Sequence, residues 1–221
     1  MRDGWILVTG GAGYVGSHVA LSLLDHGWPV VVLDNLVTGV RRLVPGDARF
    51  VHGDAGDAEL LGSLLRRPGC LAVLHFAGST VVPDSLADPL GYYRNNTAVS
   101  RTLIAACVDA GVHAFIFSST AAVYGNPATL PVAEDAPPRP VSPYGTSKLW
   151  TETMLHDAGV ATGLRHVALR YFNVAGADPW GRSGQSTPQA THLVKVACEV
   201  AAGRRDAITI HGDDYDTPDG T

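Results

Sequence analysis

Ile6-Leu7-Val8-Thr9-Gly10-Gly11-Ala12-Gly13-Tyr14-Val15-Gly16-Ser17-His18 is an apolar β-branched run that breaks into glycines at G-x-x-G-x-x-G spacing. The residues after it, Val19, Leu21, Leu23 and Leu24, then fall on one helical face. The pattern predicts a strand, a tight turn and a helix. In such a unit Gly10 permits the turn, Gly13 lets the backbone approach a pyrophosphate, and Gly16 lets the helix pack close to the strand. The free N–H groups at the helix start face the anion.

Outward from this turn, short β-rich runs alternate with segments of helical period. Strands are expected near 5–9, 29–33, 48–52, 71–75, 113–118, 165–171 and 208–210, and helices near 14–26, 57–67, 89–110, 143–158 and 187–203. Alternation of this kind predicts an α/β fold, a doubly wound parallel sheet with ligands at the carboxyl ends of its strands. Residues 1–175 form the expected nucleotide-binding domain, and 176–221 the start of a substrate-binding region. Pro127, Pro131, Pro137, Pro138, Pro140 and Pro143 crowd a stretch that reads as a loop over the ligand edge, and 176–189 reads as another.

Composition narrows the classes further. The chain has 221 residues, 46% hydrophobic and 17% charged, which is enough for one substantial core and too much for a disordered segment. Apolar runs are too short for a membrane span and the start reads without a leader, so a cytoplasmic protein is expected. Cys70, Cys107 and Cys198 are odd in number and widely spaced, which favours neither a disulfide framework nor a metal site. The net charge of −5 comes from scattered acids and argues against a nucleic-acid surface.

Asp34 closes the second strand, where a carboxylate accepts hydrogen bonds from an adenosine ribose diol and repels a 2′-phosphate, so NAD is favoured over NADP. The plainer alternative is that Asp34 caps the loop after it. Asp54, at the end of the third strand, is placed to meet the adenine.

Tyr144-Gly145-Thr146-Ser147-Lys148 puts a phenol and an ammonium one turn apart on the same helix face. A neighbouring cation favours the phenolate and lowers a phenol pKa by roughly 1–3 units, so a base usable near neutral pH is expected. Ser142-Pro143 supplies a cap and a first-turn proline. Ser118-Ser119-Thr120 clusters three hydroxyls at a strand end, one of which is placed to pass a substrate proton toward the tyrosine. The alternatives are an aromatic stem packed on a lysine stem and three loop-capping hydroxyls.

Taken together, these residues resemble the UDP-glucose 4-epimerase family of the extended short-chain dehydrogenase/reductase superfamily. Other stretches carrying the resemblance are Asp34-Asn35-Leu36, Gly53-Asp54, His75-Phe76-Ala77-Gly78, Tyr92-Tyr93-Arg94-Asn95-Asn96, Ser118-Ser119-Thr120-Ala121-Ala122-Val123-Tyr124-Gly125, Tyr171-Phe172-Asn173 and Gly212-Asp213-Asp214-Tyr215. Ala121-Ala122 stands where related 4,6-dehydratases carry an acidic pair, which argues against dehydration.

The resemblance implies NAD surrounded by Gly10, Gly13, Tyr14, Val15, Gly16, Asp34, Asn35, Asp54, Ala55, Phe76, Ala77, Gly78, Asn95, Tyr144, Lys148 and Tyr171 or Phe172, the last preferred. It implies Tyr144, Lys148 and Thr120 as catalytic residues. A UDP-sugar substrate would meet Thr120, Tyr144, Asn173, His192, Leu193 and His211. No metal is implied. Thr120 replaces the usual Ser and keeps its hydroxyl, whereas His192 and His211 replace Asn and Phe.

Family members are considerably longer, so this chain is expected to be an N-terminal piece, inactive alone and a homodimer when completed. Leu103, Ile104, Val108, Leu149, Trp150 and Met154 are the apolar residues expected to serve a helical dimer interface. Other UDP-sugar 4-epimerases, acting on glucuronate, N-acetylhexosamine or pentose, and a catalytically silent NAD-binding remnant are the rival readings.

Overall fold

Alternation along β1 (Trp5–Thr9) decides the layering. Leu7 points to one face of the sheet, while Ile6 and Val8 point to the other, and all three are buried. β1 is therefore a central strand covered on both sides, as a parallel sheet requires. In this computed structural model, which describes residues 3–187, 191–210, 212–218 and 220, it lies among five parallel partners: β2 (Val30–Asp34), β3 (Arg49–His52), β4 (Cys70–His75), β5 (Ala114–Ser118) and β6 (Arg165–Leu169). The spatial order is β3-β2-β1-β4-β5-β6, all parallel. Strand order reverses between β1 and β4, so a crevice opens at their carboxyl ends.

One face carries α1 (Tyr14–Asp25), with Ala20 packed against Val8 and Val32. The other carries α2 (Ala58–Leu65), α5 (Val99–Asp109) and α6 (Pro143–Thr162), whose Leu61, Leu103 and Leu155 meet Leu7, Phe115 and Phe117. Leu103 and Ile104 thus belong to the core, and Val108 and Met154 pack against it, so these four do not form the surplus apolar face expected of them. Trp150 stays half exposed, stacked on Tyr93 at 4.9 Å between ring centroids.

The helix expected over 89–110 is interrupted. α3 (Val82–Ala87), which the sequence reading omits, and α4 (Pro89–Tyr92) lead into a π-helical stretch, Tyr93–Ala98, before α5 begins. The proline loop has no regular structure between the 3-10 turn Ala121–Tyr124 and α6.

Residues up to Gly184 form one compact unit, and those from Gln185 onward a second. Residues 176–184, expected with the second region, belong to the first. Tyr14 Oη donates to the Gly176 carbonyl at 2.6 Å, Ser17 and Ser183 share a 2.7 Å hydrogen bond, and Arg182 pairs with Asp25 at 2.8 Å. The second unit contains α7 (Leu193–Ala201), shorter than the helix expected over 187–203. The strand expected over 208–210 does not form. A β-branched run becomes a strand only with a ladder partner, and none of the described strands pairs with it. No helix among the described residues is long and apolar enough to cross a membrane.

Candidate active site

The glycine turn is held by its own lack of side chains. Gly10 has φ +70°, and a Cβ on it would lie 2.5 Å from Ala77 N, across the β1–β4 crevice. A Cβ on Gly16 would lie 2.2 Å from the Gly10 carbonyl oxygen, so helix and turn touch only because both positions are bare. At Gly13 a Cβ would meet nothing nearer than the Gly10 oxygen at 3.2 Å, which leaves its outer side open. α1 begins at Tyr14 with no side-chain cap and no acid in its first turn, so its positive end is free to face an anion. A cavity of about 320 Å³ opens beside this turn, lined by Tyr14, Val15, His18 and residues 174–177.

Asp34 ends β2 and is buried at 8% exposure. One carboxylate oxygen accepts the Ala12 N–H at 2.9 Å and the other the Leu36 N–H at 2.8 Å, so it braces the glycine turn as well as its own loop. Each oxygen keeps a further lone pair for a ribose hydroxyl. Asp54 accepts the Asn35 side-chain amide at 2.8 Å and the Gly56 N–H at 2.7 Å, while Ala55 is buried beside it. These residues line one carboxyl edge as a continuous rim.

Across the crevice, Phe76-Ala77-Gly78 follows β4. A Cβ on Gly78 would lie 2.8 Å from Asn96 Oδ1 and 3.7 Å from Lys148 Nζ, so this glycine approaches both the π-helical stretch and the α6 lysine. Asn96, inside the π-helical stretch and 2% exposed, accepts the Ser79 N–H at 2.8 Å and donates to the Ser79 carbonyl at 3.0 Å and to Ser147 Oγ at 3.1 Å. Asn95 donates to Ser79 Oγ at 2.8 Å. Asn96 is not among the expected site residues, although it lies in the Tyr92-Tyr93-Arg94-Asn95-Asn96 stretch that carries the family resemblance.

The candidate reacting groups come from α6 and the end of β5. Ser142 Oγ accepts the Gly145 N–H at 3.2 Å and Pro143 fills the first turn, so Tyr144 and Lys148 start a helix aimed at the sheet edge. Lys148 is 2% exposed. Its Nζ donates to the Ser118 carbonyl at 3.0 Å and lies 6.0 Å from the Tyr144 ring centroid. Burial brings its pKa from 10.5 down to about 8.

The expectation that this ammonium pulls the Tyr144 phenol down is not met. Burial raises the phenol's pKa above 10, outweighing the hydrogen bond with Thr120 that lowers it, and Tyr171 adds to the rise. The physical reason is placement: the ammonium is engaged by a backbone carbonyl rather than by the phenol.

Of the three clustered hydroxyls, Ser118 is joined to the Tyr171 hydroxyl and Ser119 donates to Glu152. Thr120 accepts the Ala122 N–H at 3.1 Å and is the one of the three that favours the Tyr144 phenolate. His75, fully buried, bonds Thr9 at 2.6 Å and Ser100 at 2.9 Å; burial, assisted by the Lys148 charge, lowers its pKa to about 3.

Phe172 and Asn173 follow β6 and are exposed. In the second unit His192 caps α7 and its Nδ1 lies 3.1 Å from the Gln185 side-chain amide, while Leu193 is exposed. His211 lies outside the described residues.

Comparison with known proteins places the chain in a family. Residues 6–219 match the NAD dependent epimerase/dehydratase family. The chain is 60% identical over 216 residues to the UDP-glucose 4-epimerase of Azospirillum brasilense, covering 98% of this chain and 62% of that one. It is 49% identical to the UDP-glucose 4-epimerase of Lacticaseibacillus casei, with 98% and 65% covered. The crystal structure of the Brucella ovis UDP-glucose 4-epimerase in complex with NAD superposes with a TM-score of 0.93 at 45% identity, over 98% of this chain and 66% of that one. The chain therefore spans less than two thirds of the length of these relatives.

Proposed function

This chain belongs to the NAD dependent epimerase/dehydratase family, and from that premise we propose that it is the NAD-binding part of an enzyme interconverting UDP-glucose and UDP-galactose. The observation that carries the proposal is buried Lys148, one helical turn from Tyr144 and bonded to the Ser118 carbonyl two residues before Thr120, on the edge that also holds the glycine turn.

The residues present fit a dinucleotide. Gly10, Gly13 and Gly16 leave the turn bare, the start of α1 offers free N–H groups, and Asp34 keeps acceptor capacity for a ribose diol. Asn35, Asp54, Ala55, Phe76, Ala77, Gly78 and Asn95 complete the rim on this reading, with Phe172 beyond β6. When bound, NAD supplies a reversible hydride acceptor for sugar C4, with the 4-keto sugar as the intermediate.

The chain's own part is proton handling and placement. Acting as phenolate, Tyr144 Oη receives the proton of the sugar 4-hydroxyl and returns it to the 4-keto oxygen, with Thr120 offsetting part of the burial that disfavours this form. Lys148, buried one turn from Tyr144, ties α6 to the end of β5 through the Ser118 carbonyl and so holds the pair in place. Asn173, His192, Leu193 and His211 are proposed to meet the UDP-sugar. A completed homodimer and a cytoplasmic location belong to the same reading, the dimer supported by half-exposed Trp150.

Residues 1–221 expressed by themselves are proposed not to epimerise, because positioning chemistry fails when remote binding groups are missing. The test is to extend the chain to the length of its relatives and supply NAD with UDP-galactose, UDP-N-acetylgalactosamine or UDP-glucuronate. UDP-glucose formed from UDP-galactose as the fastest reaction is expected. Preference for UDP-glucuronate, or no conversion of any of the three, would remove the proposal.

A further inference from the structure

Among the buried polar assemblies that the proposed chemistry leaves unused, one centres on Glu152 and Arg170 and links four parts of the chain. Glu152 lies on α6 one turn beyond Lys148 and two beyond Tyr144, on the same helix face, and is only 9% exposed. Its Oε1 accepts the Ser119 hydroxyl. Arg170, just past β6, grips the same carboxylate with Nε at 3.1 Å from each oxygen and Nη2 at 2.6 Å from Oε2. The other arm of this guanidinium reaches the Tyr124 hydroxyl at 2.8 Å and the Glu134 carbonyl at 3.2 Å. One carboxylate thus ties together α6, the end of β5, the end of β6 and the loop after the 3-10 turn.

We propose that Glu152 is a positioning residue: by holding Ser119 from α6, with Arg170 fixing its own orientation, it fixes the adjacent Thr120 hydroxyl against the Tyr144 phenol.

The geometry gives the reason. Thr120 and Tyr144 sit on different elements, and their contact is only as constant as the distance between the β5 end and α6. Two side chains span that gap, Lys148 to the Ser118 carbonyl and Glu152 to the Ser119 hydroxyl. The lysine bond grips backbone two residues before Thr120, whereas the glutamate bond grips its immediate neighbour. A bidentate arginine–carboxylate pair has fixed planar geometry, which suits a spacer better than a flexible single contact.

The proposal rests on the assignment of Thr120 and Tyr144 as the reacting pair, yet its test does not need turnover. The readout is the ionisation of Tyr144, followed by ultraviolet pH titration of the 221-residue chain and isolated by subtracting the titration of Tyr144→Phe. The groups facing that phenol are Thr120 from the β5 end, Tyr171 from the β6 end, Lys148 from α6, and Tyr92 from α4 with ring centroids 6.4 Å apart. None of these is altered in Ser119→Ala, which cuts the tie while leaving Glu152 paired with Arg170. A second variant, Glu152→Leu with Arg170→Met, removes the buried pair together so that no charge is stranded.

Thr120→Val is expected to move the Tyr144 titration to higher pH, because it removes the one hydrogen bond favouring the phenolate. Ser119→Ala should move it in the same direction, and adding Ser119→Ala to Thr120→Val should move it no further. Where the paired replacement folds it should repeat the Ser119→Ala shift, and where it does not, Ser119→Ala decides alone. A Tyr144 titration unchanged in Ser119→Ala, unchanged in Thr120→Val, or shifted additively in the double variant would overturn the proposal. Failure of the chain to epimerise would instead bear on the proposed function and leave these titrations standing.

Discussion

The two halves of the sheet's carboxyl edge are built on opposite principles. On the β1–β2 side the site is made by omission, since Gly10 and Gly16 bring backbone to distances no side chain would allow. On the β4–β5–β6 side it is made by burying polar groups, with Lys148, Glu152, Asn96 and His75 all below 10% exposure and each holding a hydrogen-bond partner. The difference teaches where each half is fragile. A bare turn breaks by steric collision, which harms folding and cofactor binding together. A satisfied polar network breaks by loss of one partner, so the chemistry changes while the backbone stays.

The largest effect belongs to the polar half. In the chain extended to the length of its relatives, Tyr144→Phe should lower turnover by roughly 10²–10⁴-fold with NAD retained, while Lys148→Met should harm both. Steady-state kinetics beside NAD content of the purified protein measures this. Near-normal turnover in Tyr144→Phe would break the assignment of the phenol.

Next comes the bare half. Gly16→Ala places a Cβ where the Gly10 carbonyl oxygen would be 2.2 Å away, so a stability loss of about 1–3 kcal/mol is expected, with NAD binding weakened in parallel. Urea unfolding and NAD titration of the same variant should move together. If only one moves, collision is the wrong account of this half.

Asp34→Ala sharpens the comparison, because Asp34 is the polar exception in the bare half. Its preference for NAD over NADP should shrink by roughly tenfold, the worth of about one charge-assisted hydrogen bond. Titration of both cofactors reads it directly, and equal binding of the two by the unaltered chain would contradict the ribose assignment.

The smallest effect at neutral pH concerns His75. Its pKa falls from 6.5 to about 3 on folding, so between those values the unfolded chain binds a proton that the folded chain does not. Stability therefore falls as pH drops through that window, and His75→Gln should flatten the slope of unfolding free energy against pH there. An unchanged slope would mean that burial beside the Lys148 charge does not hold the ring neutral.

Much of the bare half was legible in the sequence, because glycine spacing and apolar alternation are local signals. The turn at Gly10, the sheet class and the acid at Asp34 follow from neighbouring residues alone. The polar half was legible at Tyr144 and Lys148 and at the Ser118-Ser119-Thr120 cluster, where residue type and spacing are local signals. Glu152 and Arg170 find each other through the fold, across 18 positions, and nothing local marks the pair. α3 was hidden because Val82-Pro83 reads as loop, although proline at a first turn starts a helix. The strand expected over 208–210 had the right residues and no partner, and the direction of the Tyr144 shift depended on burial that no spacing reveals.

Both halves serve one claim, that a hydride leaves sugar C4 and returns to it beside the Tyr144 phenol. The most direct measurement is to give the extended chain, with NAD, UDP-galactose carrying deuterium at C4, and to locate the label in the UDP-glucose formed. A hydride that is held and handed back leaves deuterium on C4 of the product. Protium from water at C4 would mean that the carbon exchanges its hydrogen as a proton, and would contradict the account.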